Sequence, residues 1–212
     1  MGIIEIIQLA IILAVSIGMH EYAHAYVSYS LGDPTPKLQG RLTPNPLKHI
    51  DPIGFLMIFL VRFGRGKPVQ INPMYYKNPR KGELMVALAG PAMNLVLACI
   101  GIFMILIYSK IAGIDFTSIF TNNLDIMNMF RVNFTFLNIT LAAFNLIPIP
   151  PLDGFRLVKI FWRKAGEQIE KYTLYISMIF LFLLIGFGSG ILASVTTFIF
   201  NFLFTLLGQI FY

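Results

Sequence analysis

A chain of 212 residues that is 57% hydrophobic and only 12% charged, with a mean hydropathy of +0.74, is too apolar to have water as its only solvent. This excludes an ordinary soluble enzyme and points to one membrane-embedded domain over residues 1–212, because no long stretch is polar enough to fold by itself. The basic residues behind the net charge of +6 flank apolar stretches, which reads as membrane topology and not as nucleic-acid binding. The single cysteine, Cys99, excludes an intramolecular disulfide and a cysteine-built zinc site.

The first apolar stretch, Ile3 to Ser28, is long enough to span a bilayer, which takes about 20 helical residues. It lacks the basic n-region of a secretory signal and is read as a retained helix. A polar, proline-rich connection follows. Within it Ile53 to Val61 is apolar but too short to span, so a re-entrant or interfacial segment is expected. Leu84 to Tyr108 is a second span. A shorter candidate, Phe130 to Ile147, runs into Pro148, Pro150 and Pro151, where a helix must unwind. The sequons at Asn133 and Asn138 fall inside that helix and are read as chance matches. Asp153 to Lys164 can resume as a helix near the headgroups, and Leu174 to Phe187 and Ile191 to Phe211 complete the apolar set. The fold class expected is therefore an all-α integral membrane protein with about six transmembrane helices.

Residues 31–83 hold nine of the sixteen Lys and Arg, 110–131 hold two and 151–172 hold five. The positive-inside bias places the first and third of these connections in the cytoplasm and the second outside. The expected location is the plasma membrane, multi-pass, in contact with the lipid bilayer.

The first helix carries His20-Glu21-Tyr22-Ala23-His24. Residues four apart share one helix face, so both imidazoles can bind one metal ion while Glu21 lies beside the open coordination position. Three ionisable residues among Ile, Leu, Ala and Val are costly in a bilayer and imply a partner or a cavity. A catalytic zinc takes three protein ligands, so one is missing. Among the ten acidic residues Asp153 stands out, following the broken stretch from Asn145 to Leu152 on the side where the first helix ends, although an Asp-Gly after prolines also suits a helix cap. Gly90-Pro91-Ala92-Met93-Asn94 places small residues and one amide in the second span, suited to close helix contact.

With these motifs, together with Gly40 to Gly54 and Asn145 to Gly154, the sequence resembles the site-2 protease family of intramembrane zinc metallopeptidases. The resemblance covers nearly the whole chain, without the inserted PDZ or appended CBS domain of some relatives. It implies one Zn2+ per chain held by His20, His24 and Asp153, with Glu21 as the catalytic residue and Asn94 and Asn145 arranging the site or substrate. It also implies a strand hairpin over Gly40 to Gly54, within which His49 reads as a polar interfacial residue. The implied activity is hydrolysis of peptide bonds within or near transmembrane segments of membrane-protein substrates, as in regulated intramembrane proteolysis, with the site towards the cytoplasm. Two rivals are a membrane zincin with a cytosolic catalytic domain, for which the loops are too short, and a non-proteolytic zinc-binding transporter or scaffold.

Overall fold

The computed structural model describes residues 2–55, 66–114, 119 and 126–209. Its elements in chain order are α1 (Ile3–Ser30), a short helix α2 (Thr35–Leu38), α3 (Pro79–Ala112), α4 (Ile126–Asn145), α5 (Asp153–Phe161), α6 (Arg163–Glu170), α7 (Thr173–Leu183) and α8 (Ser189–Gly208). The sequence explains several of the boundaries. Asn78 caps α3 by accepting from the Lys81 N–H with Pro79 in the first turn, and Gly113 ends it in the left-handed conformation. As expected, α4 stops before Pro148. The helix expected over Asp153 to Lys164 breaks instead at Trp162, after which α6 begins.

α1 and α3 run antiparallel, matching His24 to Val86, His20 to Gly90 and Ser16 to Asn94 along their length. α4 runs antiparallel to α3 in turn, with Asn138 beside Asn94 and Thr135 beside Gly101. The apolar core lies between these helices and α8, where Ala98, Ile102, Leu106, Ile139 and Phe200 form one cluster and Ile12, Leu97 and Phe134 another. Outside the bundle, large apolar side chains face outward: Ile3 is 78% exposed and Phe198 73%. Exposed apolar surface of that extent suits lipid.

Among the described residues, three helices are long and apolar enough to cross a membrane: Ile3–Ser30, Pro79–Ala112 and Gly190–Gly208. The expectation of about six is thus met by three. α7, with 11 residues, is too short alone and passes through a π turn, Leu184–Gly188, directly into α8. α4 has 20 residues but places Asn128, Arg131, Thr135 and Asn138 along one face, which lowers its apolarity.

The hairpin expected over residues 40–54 is not formed. This segment is irregular, with a 3-10 turn at Pro46–Lys48 capped by Asn45, and residues 52–55 begin a helical turn. Pro44, Pro46 and Pro52 supply no ladder donors, which works against paired strands. The remainder of the expected re-entrant segment, 56–61, lies outside the described residues. His49 is fully buried, with Nε2 donating to the Thr43 carbonyl at 2.8 Å.

A polar anchor ties the end of α1 to the approach of α3. Asp33 is fully buried and accepts from Ser28 Oγ at 2.8 Å, the Asn72 N–H at 2.7 Å and the Thr35 N–H at 2.9 Å. Tyr76 OH adds a 2.7 Å bond to Ser28. Burial by itself would raise the Asp33 pKa, but the hydrogen bonds from Thr35, Asn72 and Ser28 outweigh it and hold the carboxyl below its ordinary value.

Candidate metal centre

One helical turn separates His20 from His24, and both rings turn inward from α1 with Nε2 atoms 3.0 Å apart. Asp153, at the first position of α5, brings Oδ2 to 2.9 Å from His20 Nε2 and 3.1 Å from His24 Nε2. His20, His24 and Asp153 are 7%, 3% and 9% exposed. Asp153 reaches this depth because the proline-rich turn folds α5 back against the end of α4. The turn is held by Ser177 Oγ donating to the Pro150 carbonyl. Gly154 makes the return possible, since a Cβ there would lie 2.3 Å from the Leu146 carbonyl oxygen.

On the facing helix, Gly90 leaves room for both rings. A Cβ at that position would lie 2.4 Å from His20 Nε2 and 2.5 Å from His24 Nε2. This accounts for the glycine one turn before Asn94 more specifically than helix packing does.

The other imidazole nitrogens are also engaged. His20 Nδ1 lies 2.6 Å from Asn94 Oδ1 and His24 Nδ1 lies 2.7 Å from the Val86 carbonyl oxygen. Both partners are acceptors, so each Nδ1 donates and each Nε2 keeps its lone pair for the interior of the site. Such oriented outer partners are what metal-binding histidines require. Asp153 keeps Oδ1 for Arg156, whose Nε lies 3.6 Å away.

Glu21, the neighbour of His20, is partly buried. Its Oε2 accepts the Val69 N–H at 3.1 Å, while Oε1 has no partner among the described residues. The chain leading to Val69 is tied to the preceding loop, because the Lys67 N–H donates to the His49 carbonyl at 2.7 Å. Burial pushes the His49 pKa below its ordinary value, opposed by the Thr43 carbonyl and the charge of Glu21 and aided by the charge of Arg41.

The structure thus brings together His20, His24, Asp153 and Asn94, with Glu21 adjacent in sequence. It does not join Asn145 to them by a hydrogen bond: that half-buried side chain donates to the Leu141 carbonyl of its own helix at 2.9 Å. Asn138, read from the sequence as a chance sequon, is fully buried and accepts from Asn94 Nδ2 at 2.9 Å. Its signal was the polar spacing along α4, visible only once the facing helix is known.

The donor set fits zinc. His20, His24 and Asp153 each offer one ligand atom, and these lie within 4.8 Å of one another. Two imidazole nitrogens and a carboxylate oxygen form a catalytic zinc set with positions left for water or substrate.

Comparison with known proteins agrees. A profile of peptidase family M50 matches residues 8–184. The protein named “Putative zinc metalloprotease YwhC” of Bacillus subtilis (strain 168) is 45% identical over 151 residues, covering 71% of this chain and 67% of that one. Rip2 of Mycobacterium tuberculosis (strain ATCC 25618 / H37Rv), whose name carries the same description, is 28% identical over 182 residues, covering 80% and 63%. “Zinc metalloprotease MJ0392” of Methanocaldococcus jannaschii is 28% identical over 161 residues, covering 74% and 35%. The chain therefore spans about two thirds of the length of the first two and about a third of the last. No solved structure matches this chain. With a profile match across most of its length and a relative of this identity, the chain belongs to peptidase family M50, the site-2 protease family its motifs resemble.

Proposed function

We propose that this chain is an intramembrane zinc metalloprotease that hydrolyses peptide bonds within or near transmembrane segments of membrane proteins. His20, His24 and Asp153 are its zinc ligands and Glu21 its general base. The observation that carries this reading is the convergence of three oriented ligand atoms, 2.9 to 3.1 Å apart, between apolar helices. When bound, zinc supplies Lewis acidity, which lowers the pKa of water and polarises a carbonyl. Glu21 takes the proton of the attacking water on Oε1 and later returns it to the leaving amine, while the Val69 N–H fixes the carboxylate through Oε2. Asn94 and Val86 hold the two imidazoles by Nδ1. Asn145, the last residue of α4, is assigned to substrate and not to zinc, a reading supported by the absence of a hydrogen bond from it to the ligand residues.

At about 1.5 Å per residue, His20 lies roughly 15 Å along the axis from the Ser30 end of α1. The loops at that end carry most of the basic residues, which supports a multi-pass plasma-membrane protein with its site below the cytoplasmic boundary. Residues 1–212 then act as one membrane-embedded unit. A helical substrate must unwind locally to present its peptide bond, so segments rich in helix-breaking residues are the expected class of target.

The test is cleavage of a panel of single-span membrane substrates by purified protein, with zinc content measured in wild type and Glu21→Gln. Cleavage by wild type alone, with equal zinc in both, supports the reading. Equal cleavage by Glu21→Gln removes Glu21 from the mechanism, and zinc without cleavage of any substrate returns the case to a transporter or scaffold.

A further inference from the structure

Asn138 is fully buried in α4, and neither the motifs nor the mechanism above use it. Its Nδ2 donates to the Phe134 carbonyl of its own helix at 2.8 Å, and its Oδ1 accepts from Asn94 Nδ2 at 2.9 Å. Asn94 Nδ2 also reaches the Ser16 carbonyl at 3.4 Å, and Asn94 Oδ1 faces His20 Nδ1 at 2.6 Å. These bonds form a directed series. The Phe134 carbonyl can only accept, so Asn138 must turn its amide nitrogen there and present its oxygen to Asn94. Asn94 must then direct its nitrogen towards Asn138 and Ser16, which leaves its oxygen for His20. His20 in turn must donate from Nδ1. Reversing any amide would set oxygen against oxygen at a buried position, where an unmade hydrogen bond costs most.

We propose that Asn138 is a positioning residue that fixes the tautomer of His20 through Asn94, so that Nε2 presents its lone pair to zinc. Asn94 alone does not ensure this. Rotated by half a turn, its amide would offer an N–H to Nδ1, the imidazole proton would move to Nε2, and the ligand would be lost. Of the two acceptors that make the rotated state unfavourable, Asn138 Oδ1 is the nearer, at 2.9 Å against 3.4 Å for the Ser16 carbonyl. His24 needs no such relay, since its Nδ1 meets the Val86 carbonyl directly, and a backbone carbonyl cannot reverse. The inference rests on the zinc reading above.

The experiment measures zinc dissociation by chelator competition in detergent-purified full-length wild type, Asn94→Leu, Asn138→Leu and the double variant. Exchange of imidazole Nδ1 protons with water is followed by NMR in the zinc-loaded proteins. Partners that orient metal ligands contribute about 10- to 100-fold in affinity, so Asn138→Leu is expected to bind zinc about tenfold more weakly. The double variant should be no weaker than Asn94→Leu, because Asn138 acts only through Asn94. The Nδ1 proton of His20 should be protected in wild type and exchange faster in Asn138→Leu, with that of His24 unchanged. Asn138→Asp, whose buried carboxyl is neutral and can replace both bonds, should restore zinc binding near the wild-type value. Additive losses in the double variant, equal effects on His20 and His24, or an unprotected His20 Nδ1 in wild type would overturn the inference while leaving the zinc site standing. A well-folded wild type that holds no zinc would overturn both. Where Asn138→Leu fails to fold, Asn138→Asp carries the test: near-wild-type zinc affinity and His20 Nδ1 protection support the inference, and loss of both in folded protein overturns it.

Discussion

Glu21 and the histidines flanking it lie on one turn and a half of α1, yet substitution separates their roles. Glu21→Gln keeps the shape of the side chain and leaves His20, His24 and Asp153 in place, so zinc content should match wild type while turnover falls by about 10²- to 10⁴-fold, the usual share of general acid–base catalysis. Gly90→Ala should do the reverse. Its Cβ would lie 2.4 Å from His20 Nε2 and 2.5 Å from His24 Nε2, so it should expel the metal, seen as zinc content far below one per chain in protein that still runs as a folded species in gel filtration. Asp153 was one candidate among ten acids on the residues alone and became the foremost only by its position after the prolines. The geometry shows why it can reach the site, because Gly154 lets α5 return onto the Leu146 carbonyl.

At the scale of elements, the junction between α1 and α3 depends on Asp33. Asp33→Asn keeps the size but loses the charge that three donors share, and should lower stability by on the order of 2 kcal/mol, within the range for hydrogen bonds to a charged group. A lower thermal midpoint in detergent would show it. The native carboxyl has a depressed pKa, so its contribution is complete above the unfolded-state value of about 3.9. It declines below that pH and is lost as pH falls through the lower folded value. The acid limb of the wild-type stability curve should therefore be steeper than that of Asp33→Asn, which acid titration of the unfolding midpoint would test. The loop 40–54 teaches a different lesson. A strand hairpin was expected there from resemblance, but the prolines favour an irregular chain whose His49 is buried against Thr43.

For the whole molecule, the antiparallel order of α1, α3 and α4 sets the Ser30 end of α1, the Pro79 end of α3 and α5 on one side. With the native Cys99 replaced by Ala, single cysteines at Lys48 and Lys171 should react with a membrane-impermeant maleimide only after the membrane is opened, whereas one at Ala112 should react in intact cells. The opposite pattern would invert the orientation argued from the basic loops. That argument and the His-Glu-x-x-His turn needed no tertiary information.

Legibility followed the range of the physics. Charge placement, apolar length and the four-residue helical repeat are local, so the membrane class, the long helices α1 and α3, and the pairing of His20 with His24 could be read from the chain. So could the end of α4 ahead of its prolines. What the chain alone could not decide depends on which faces meet. Among the described residues the number of long apolar helices is three, because α4 carries a polar face turned towards α3, and α7 is short and continues into α8. Gly90 looked like a packing residue until it faced two imidazoles, and Asn138 looked like a chance sequon until it faced Asn94. An amide buried in an apolar bundle must find a partner, but sequence does not name the partner; only the approach of one helix to another does.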